Sequence, residues 1–136
     1  MRRNPLALFV AALTTVSSVA WAAGIDPAKS AICANTDTFE CVPGENCIAD
    51  TPEGINLPRF FRIDFAAKKA YGEREDGEKT TAIITNQTIE EGRIVMQGVQ
   101  SGNGWTATID QATGKMSLAI SADGVGFVIF GACTQM

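Results

Sequence analysis

From Arg93 to Cys133 the chain alternates apolar and polar residues with a period of two, interrupted at regular intervals by Gly, Asn, Asp and Thr. Two is the side-chain period of a strand, so this stretch is committed to β structure before anything else about the chain is considered. Strands are expected at 93–100, 105–110, 115–121 and 125–133. The turns between them are Ser101-Gly102-Asn103-Gly104, Gln111 to Gly114 and Ala122-Asp123-Gly124. In the middle pair, Trp105, Ala107 and Ile109 oppose Thr106, Thr108 and Asp110, and Met116, Leu118 and Ile120 oppose Lys115, Ser117 and Ser121. Each therefore has one core face and one wet face. The last strand departs from this: Phe127 and Ile129 point one way, Val128 and Phe130 the other. Such a strand calls for cover on both sides.

Upstream, Phe61, Ile63 and Phe65 alternate with Phe60, Arg62 and Asp64, predicting a strand over 59–65, with an extension to Tyr71 left open. Gly72 to Lys79 is a charged turn containing Asp76-Gly77, a strong hairpin signal. Thr80 to Ile89 reads as one strand rich in stiff β-branched residues, ended by Glu90-Glu91-Gly92. Residues 43–58, with three prolines among glycines, asparagines and acids, read as mostly loop between short strands at 38–42 and 47–50. Residues 23–36 read as a polar arm. With no amphipathic helix, the expected fold is all-β: a small antiparallel meander of six to eight strands closing into a barrel or clam, which protects its edges.

The N-terminus carries the features of an export leader: Arg2 and Arg3, an apolar run from Leu6 to Val19, and the small-x-small site Ala20-Trp21-Ala22. The expected organisation is a signal peptide at 1–22 and one β domain at 23–136. Within that domain, 23–58 is arm and Cys-containing loop and 59–136 is the meander. The apolar run is short for a bilayer span of about 20 residues, so no membrane span is expected. Without Arg2 and Arg3, nine basic residues face fifteen acidic ones, a net charge of −6. That balance, with no basic block, excludes a nucleic-acid partner.

Four cysteines in an exported chain of this size read as two disulfides. No Cys-x-x-Cys pair occurs, which argues against zinc and thioredoxin-like redox chemistry. Three pairings are open. The favoured one joins Cys41 to Cys47 across the turn 42–46 and leaves Cys33 to tie the N-terminal segment to Cys133 on the final strand. The implied location is periplasmic or secreted.

There is no histidine in the chain. That removes the commonest general base, the Ser/His and Cys/His nucleophile pairs, and the commonest zinc ligand. Asp64 and Asp110 are the best carboxylate pair for acid–base work, yet each sits where a turn or solvated role is ordinary. Gly102-x-Gly104-x-x-Ala107 matches a dinucleotide fingerprint in letters only, because a Thr-rich strand follows instead of a helix. Thr113-Gly114-Lys115-Met116 lacks the earlier Gly and the Ser/Thr of a P-loop. The acids Glu73, Glu75, Asp76 and Glu78 are interrupted by Arg74 and form no calcium loop. No catalytic residue, cofactor or metal is assigned. Trp105 behind the Ser101 to Gly104 turn is the most suggestive feature, as either a partner-inserting tip or a large core residue.

Two resemblances follow from these residues. Leu57 to Asp64, Met96 to Val99, Gly104-Trp105 with Ile109 to Lys115, and Gly126 to Cys133 together resemble an uncharacterised family of small exported proteins of Gram-negative bacteria. That resemblance implies export and a four-Cys framework. The chain is also similar to the MliC-type inhibitors of C-type lysozyme, through Phe39-x-Cys41-x-x-Gly44, Ser101-Gly102-x-x-Trp105 and Cys133. This second resemblance implies a small β-barrel in which Ser101 and Lys115 enter a lysozyme cleft. The expected function is a non-enzymatic exported binding domain, its partner an unknown protein or a small apolar ligand. The alternative is a lysozyme-type inhibitor acting through residues 101–105. Ser101, Asn103, Trp105 and Lys115 are the candidate partner-binding residues, and the strand from Val125 to Cys133 is the candidate surface for self-association.

Overall fold

The computed structural model describes residues 24–136; the leader at 1–22 lies outside the described residues. Ten strands follow one another: β1 (Ala31–Cys41), β2 (Ile48–Asp50), β3 (Phe60–Asp64), β4 (Lys69–Glu73), β5 (Lys79–Ile83), β6 (Asn86–Glu90), β7 (Arg93–Gln100), β8 (Asn103–Asp110), β9 (Lys115–Ser121) and β10 (Gly126–Gln135). They form one antiparallel sheet in the order β5-β4-β3-β1-β10-β9-β8-β7-β6, with β2 paired to β1. The sheet curls into a half-barrel. No helix of the described residues is long and apolar enough to cross a membrane.

The predicted meander is present strand for strand. Two of its hairpins are tighter than the sequence suggests: Glu91-Gly92 and Ser101-Gly102 are two-residue turns with positive φ at both positions. This is the type I′ geometry whose twist matches the flanking strands. The count of ten rather than six to eight arises upstream. Asp64 accepts a hydrogen bond from the Ala67 N–H, and Lys68 adopts a φ of 52°, so the run read from 59 towards 71 turns back into β3 and β4. The run Thr80 to Ile89 is divided at Ile84-Thr85. The Ile84 N–H donates to the Lys68 carbonyl, ending the ladder with β4, and the Thr85 N–H donates to the Gln97 carbonyl on β7. One continuous stretch therefore supplies both terminal strands of the sheet.

The N-terminal segment differs most from expectation. Residues 31–36 are not an arm but the first half of β1, which lies at the middle of the sheet between β3 and β10. A bulge between Asn35 and Asp37 shifts the register. Ala31, Cys33 and Asn35 face inward before it and Thr38 after it, all four buried. A bulge inserts one unpaired residue and so reverses the side-chain phase. Polar residues at two inward positions, together with that reversal, hide the strand from a period-two reading.

The disulfides are Cys33–Cys133 and Cys41–Cys47, as favoured. Cys33 and Cys133 stand directly opposite each other on β1 and β10 with Cα atoms 4.0 Å apart. β1 thus lies beside β10 rather than across its face. The inner side of β10 is buried at Ile129, while outward Phe130 meets Phe39 edge to face at 6.3 Å and stays 45% exposed.

Candidate functional site

The two ends of the half-barrel are filled differently. At one, Ile25, Ala31, Cys33, Phe65, Ile94, Ile109 and Cys133 form a buried cluster. Ile25 is held there reciprocally: its N–H donates to the Gln111 carbonyl at 2.7 Å and its carbonyl accepts from Gln111 Nε2 at 3.2 Å. Gln135 secures the same segment, accepting from the Asp26 N–H and donating to the Ser30 carbonyl, each at 2.6 Å. Residues 24–30 therefore form a stopper.

Towards the other end the inward side chains leave a cavity of about 370 Å³. Its walls include Phe61, Met96, Trp105, Leu118, Ile120 and Phe127. This lies within the range of roughly 300–1,000 Å³ found for small-molecule pockets. The space follows from small residues placed among large ones: Ala70, Gly72, Ala82 and Ala107 line it where a bulkier set would fill it. Gly98 contributes differently. A Cβ there would collide with the Ile83 carbonyl and the Trp105 indole, so the indole lies against bare backbone.

The mouth is built from two loops. One is the β7–β8 tip, whose Ser101 and Asn103 line the cavity with Gln100. The other runs from Thr51 to Arg59 and presents Ile55, Asn56, Leu57 and Pro58. That loop is braced internally, since Arg59 donates to both Glu53 carboxylate oxygens at 2.7 and 2.9 Å and the Leu57 N–H donates to the Pro52 carbonyl. It is fastened to the sheet by Asn35, whose Nδ2 donates to the Pro58 carbonyl at 2.8 Å and whose N–H donates to the Arg59 carbonyl. It therefore covers part of the cavity while remaining a surface loop.

The electrostatics of the site are muted. Arg74 at the mouth is paired with Glu78 at 2.7 Å, which compensates its charge. Glu53 is held below the ordinary carboxylate value, chiefly by its own backbone N–H and further by Arg59. Among the described residues, three that line the cavity retain a buried polar atom without a hydrogen-bond partner: Trp105 Nε1, Asn35 Oδ1 and Arg74 Nε. Unpaired buried polar atoms are uncommon and costly in proteins. No group of His, Cys, Asp or Glu able to hold a metal occurs among the described residues.

Of the four candidate partner-binding residues, Ser101, Asn103 and Trp105 come together at the mouth and wall of the cavity. Lys115 begins β9, beyond the far end of β8, roughly 25 Å along the sheet from Ser101. Trp105 packs half-buried against the core and lines the cavity. Asp64 and Asp110 perform turn chemistry. Asp110 accepts from the Thr113 N–H and hydroxyl, both at 2.9 Å, and these bonds hold its carboxyl below the ordinary value. The contribution of Asn35 and of the 51–59 loop was missed. The only sequence signal for it was an Asn amid small residues on what proved to be a strand.

Neither a protein-family model, nor a curated protein, nor a solved structure matches this chain.

Proposed function

We propose that this protein is a non-enzymatic binding domain, exported to the periplasm or secreted, that holds a small, largely apolar and uncharged ligand in the cavity behind Trp105. The supporting observation is the cavity itself: about 370 Å³, walled mainly by apolar side chains, in a domain whose other end is fully packed. The paired state of Arg74 favours a ligand without net charge. A polar group on that ligand would answer the free indole N–H of Trp105 or the free carbonyl oxygen of Asn35. Export is supported by the leader at 1–22 and by two disulfides, which suit an oxidising compartment.

The test uses protein lacking residues 1–22, in which Trp105 is the sole tryptophan. Titration with the neutral dye N-phenyl-1-naphthylamine should quench Trp105 emission saturably, with a Kd of about 10 µM or tighter. Leu118→Phe, which adds volume to the wall, should weaken binding about tenfold. Linear, unsaturable quenching unaffected by Leu118→Phe would dismiss the ligand reading. A second reading, inhibition of a C-type lysozyme, is supported by the exposed Ser101-Gly102 tip. It requires that Ser101→Ala relieve inhibition, and undiminished lysozyme activity at micromolar protein would remove it.

A further inference from the structure

The sheet curls until the Ile83 carbonyl of β5 lies against Gly98 of β7. Round that circuit β3 and β8 are four strand steps apart in either direction, through β1, β10 and β9 or through β4, β5 and β7. Strands so related face each other across the interior of a curled sheet. Phe61 on β3 and Trp105 on β8 both line the cavity, and among the described residues their rings make no contact with each other. The space between them is open.

On the side of β4 and β5, what lies between the two rings is small. Ala70 stands opposite Ala82 and Gly72 opposite Thr80, and all four line the cavity. Two flat groups sit directly on backbone at the margins, the Pro58 ring over Gly72 and the Trp105 indole over Gly98, each where a Cβ would collide with it. Deeper in, the lining includes the buried thioethers of Met96 and Met116. The result is a bed of small side chains bounded by aromatic rings and backed by two sulfurs.

These boundaries favour one kind of guest. Aromatic side chains attract another ring, stacked or edge to face, beyond what area burial gives. Thioether sulfurs do the same at a ring edge. A saturated skeleton gains area burial alone. We infer that the cavity takes a flat aromatic ring system carrying a neutral polar substituent, the ring lying over Ala70 and Ala82 between Phe61 and Trp105. The substituent lies at the polar mouth, beside Gln100, Ser101 and Asn103. This inference rests on the small-ligand reading above and narrows it to a chemical class.

The test compares two probes that share a skeleton and a hydroxymethyl group, 2-naphthalenemethanol and its fully saturated decahydro analogue. Each competes with N-phenyl-1-naphthylamine on protein lacking residues 1–22, with dye emission as the readout. The saturated probe has the larger apolar surface, so area burial alone favours it. The expected order is the reverse, with the aromatic probe binding about fivefold tighter. Phe61→Leu keeps an apolar wall; it should bring that ratio to about one while changing the affinity of the saturated probe by less than about twofold. The methyl resonances of Met96 and Met116 give a readout independent of affinity, because the ring current of the bound aromatic probe should move them upfield and the saturated probe should not. Saturable dye binding with the saturated probe equal or tighter, or methionine methyls that respond alike to both probes, overturns the aromatic class and leaves the apolar cavity standing. Absence of saturable dye binding removes the cavity reading itself, and this inference with it.

Discussion

The closed and open ends of the half-barrel are made from the same strands yet solve opposite problems. β8 illustrates this within eight residues: Ile109 is wholly buried at the closed end, Ala107 is a small residue on the cavity floor, and Trp105 stands half-exposed near the mouth. The closed end gains a stopper at Ile25 and a covalent tie at Cys33–Cys133. The open end instead has small side chains on its floor, a braced loop over part of it, and polar atoms left without partners. The stopper and the covalent tie are concentrated at one end, and the other is left underpacked.

The strongest break in this contrast is removal of the Cys33–Cys133 bridge. It closes a loop with a sequence separation of 100, and in the chain-entropy account such a bridge stabilises by about 4–5 kcal/mol. The double replacement Cys33→Ala with Cys133→Ala should lower the free energy of unfolding by about that amount, read from a urea titration. Cys41–Cys47 closes a separation of only 6, and its loss should cost about 2 kcal/mol. Equal losses for the two bridges would mean that the closed end is not where stability resides.

A smaller effect separates the ends by side chain. Ile109→Ala removes a fully buried residue from the closed cluster and should cost about 3–4 kcal/mol. Leu118→Ala removes a wall residue that already borders open space, and should cost about 1–2 kcal/mol because fewer contacts are lost. Denaturant midpoints of the two variants at equal m-value measure the difference. Costs in the reverse order would show the cavity wall to be the better-packed region.

How far each end could be read from the sequence follows the same division. The meander was legible because Trp105 to Ile109 and Met116 to Ile120 alternate cleanly, and because Ser101-Gly102 and Asp110 to Gly114 are unambiguous turns. The disulfide pairing was legible because Cys41 and Cys47 flank a short turn. β1 was not, since Asn35 and Thr38 are polar at inward positions and the bulge at Thr36 changes phase between them. The cavity was not legible either. A period-two pattern reports which face is inward but not whether inward residues from different strands meet, and here Ala70, Ala82 and Ala107 leave room between Phe61 and Trp105. The site thus depends on long-range juxtapositions, such as Asn35 with Pro58, that no local spacing encodes.

Acid provides the smallest and most selective probe of the contrast, because one carboxylate with a lowered pKa serves each end. Asp110 organises the turn whose neighbour Gln111 grips Ile25, and Glu53 braces the loop at the mouth. A carboxyl whose folded pKa lies below its unfolded value binds fewer protons when folded. Its contribution is therefore complete above the unfolded value, near 4, and is lost as pH falls through the lowered one. Global stability should be level above about pH 5 and decline below it, and Asp110→Asn should flatten part of that decline. Glu53→Gln should leave the global curve nearly unchanged and instead speed amide exchange within residues 54–58, since its partners are confined to that loop. If Glu53→Gln depressed global stability as much as Asp110→Asn, the mouth loop would be part of the cooperative core, and the division between a packed end and an open end would have to be abandoned.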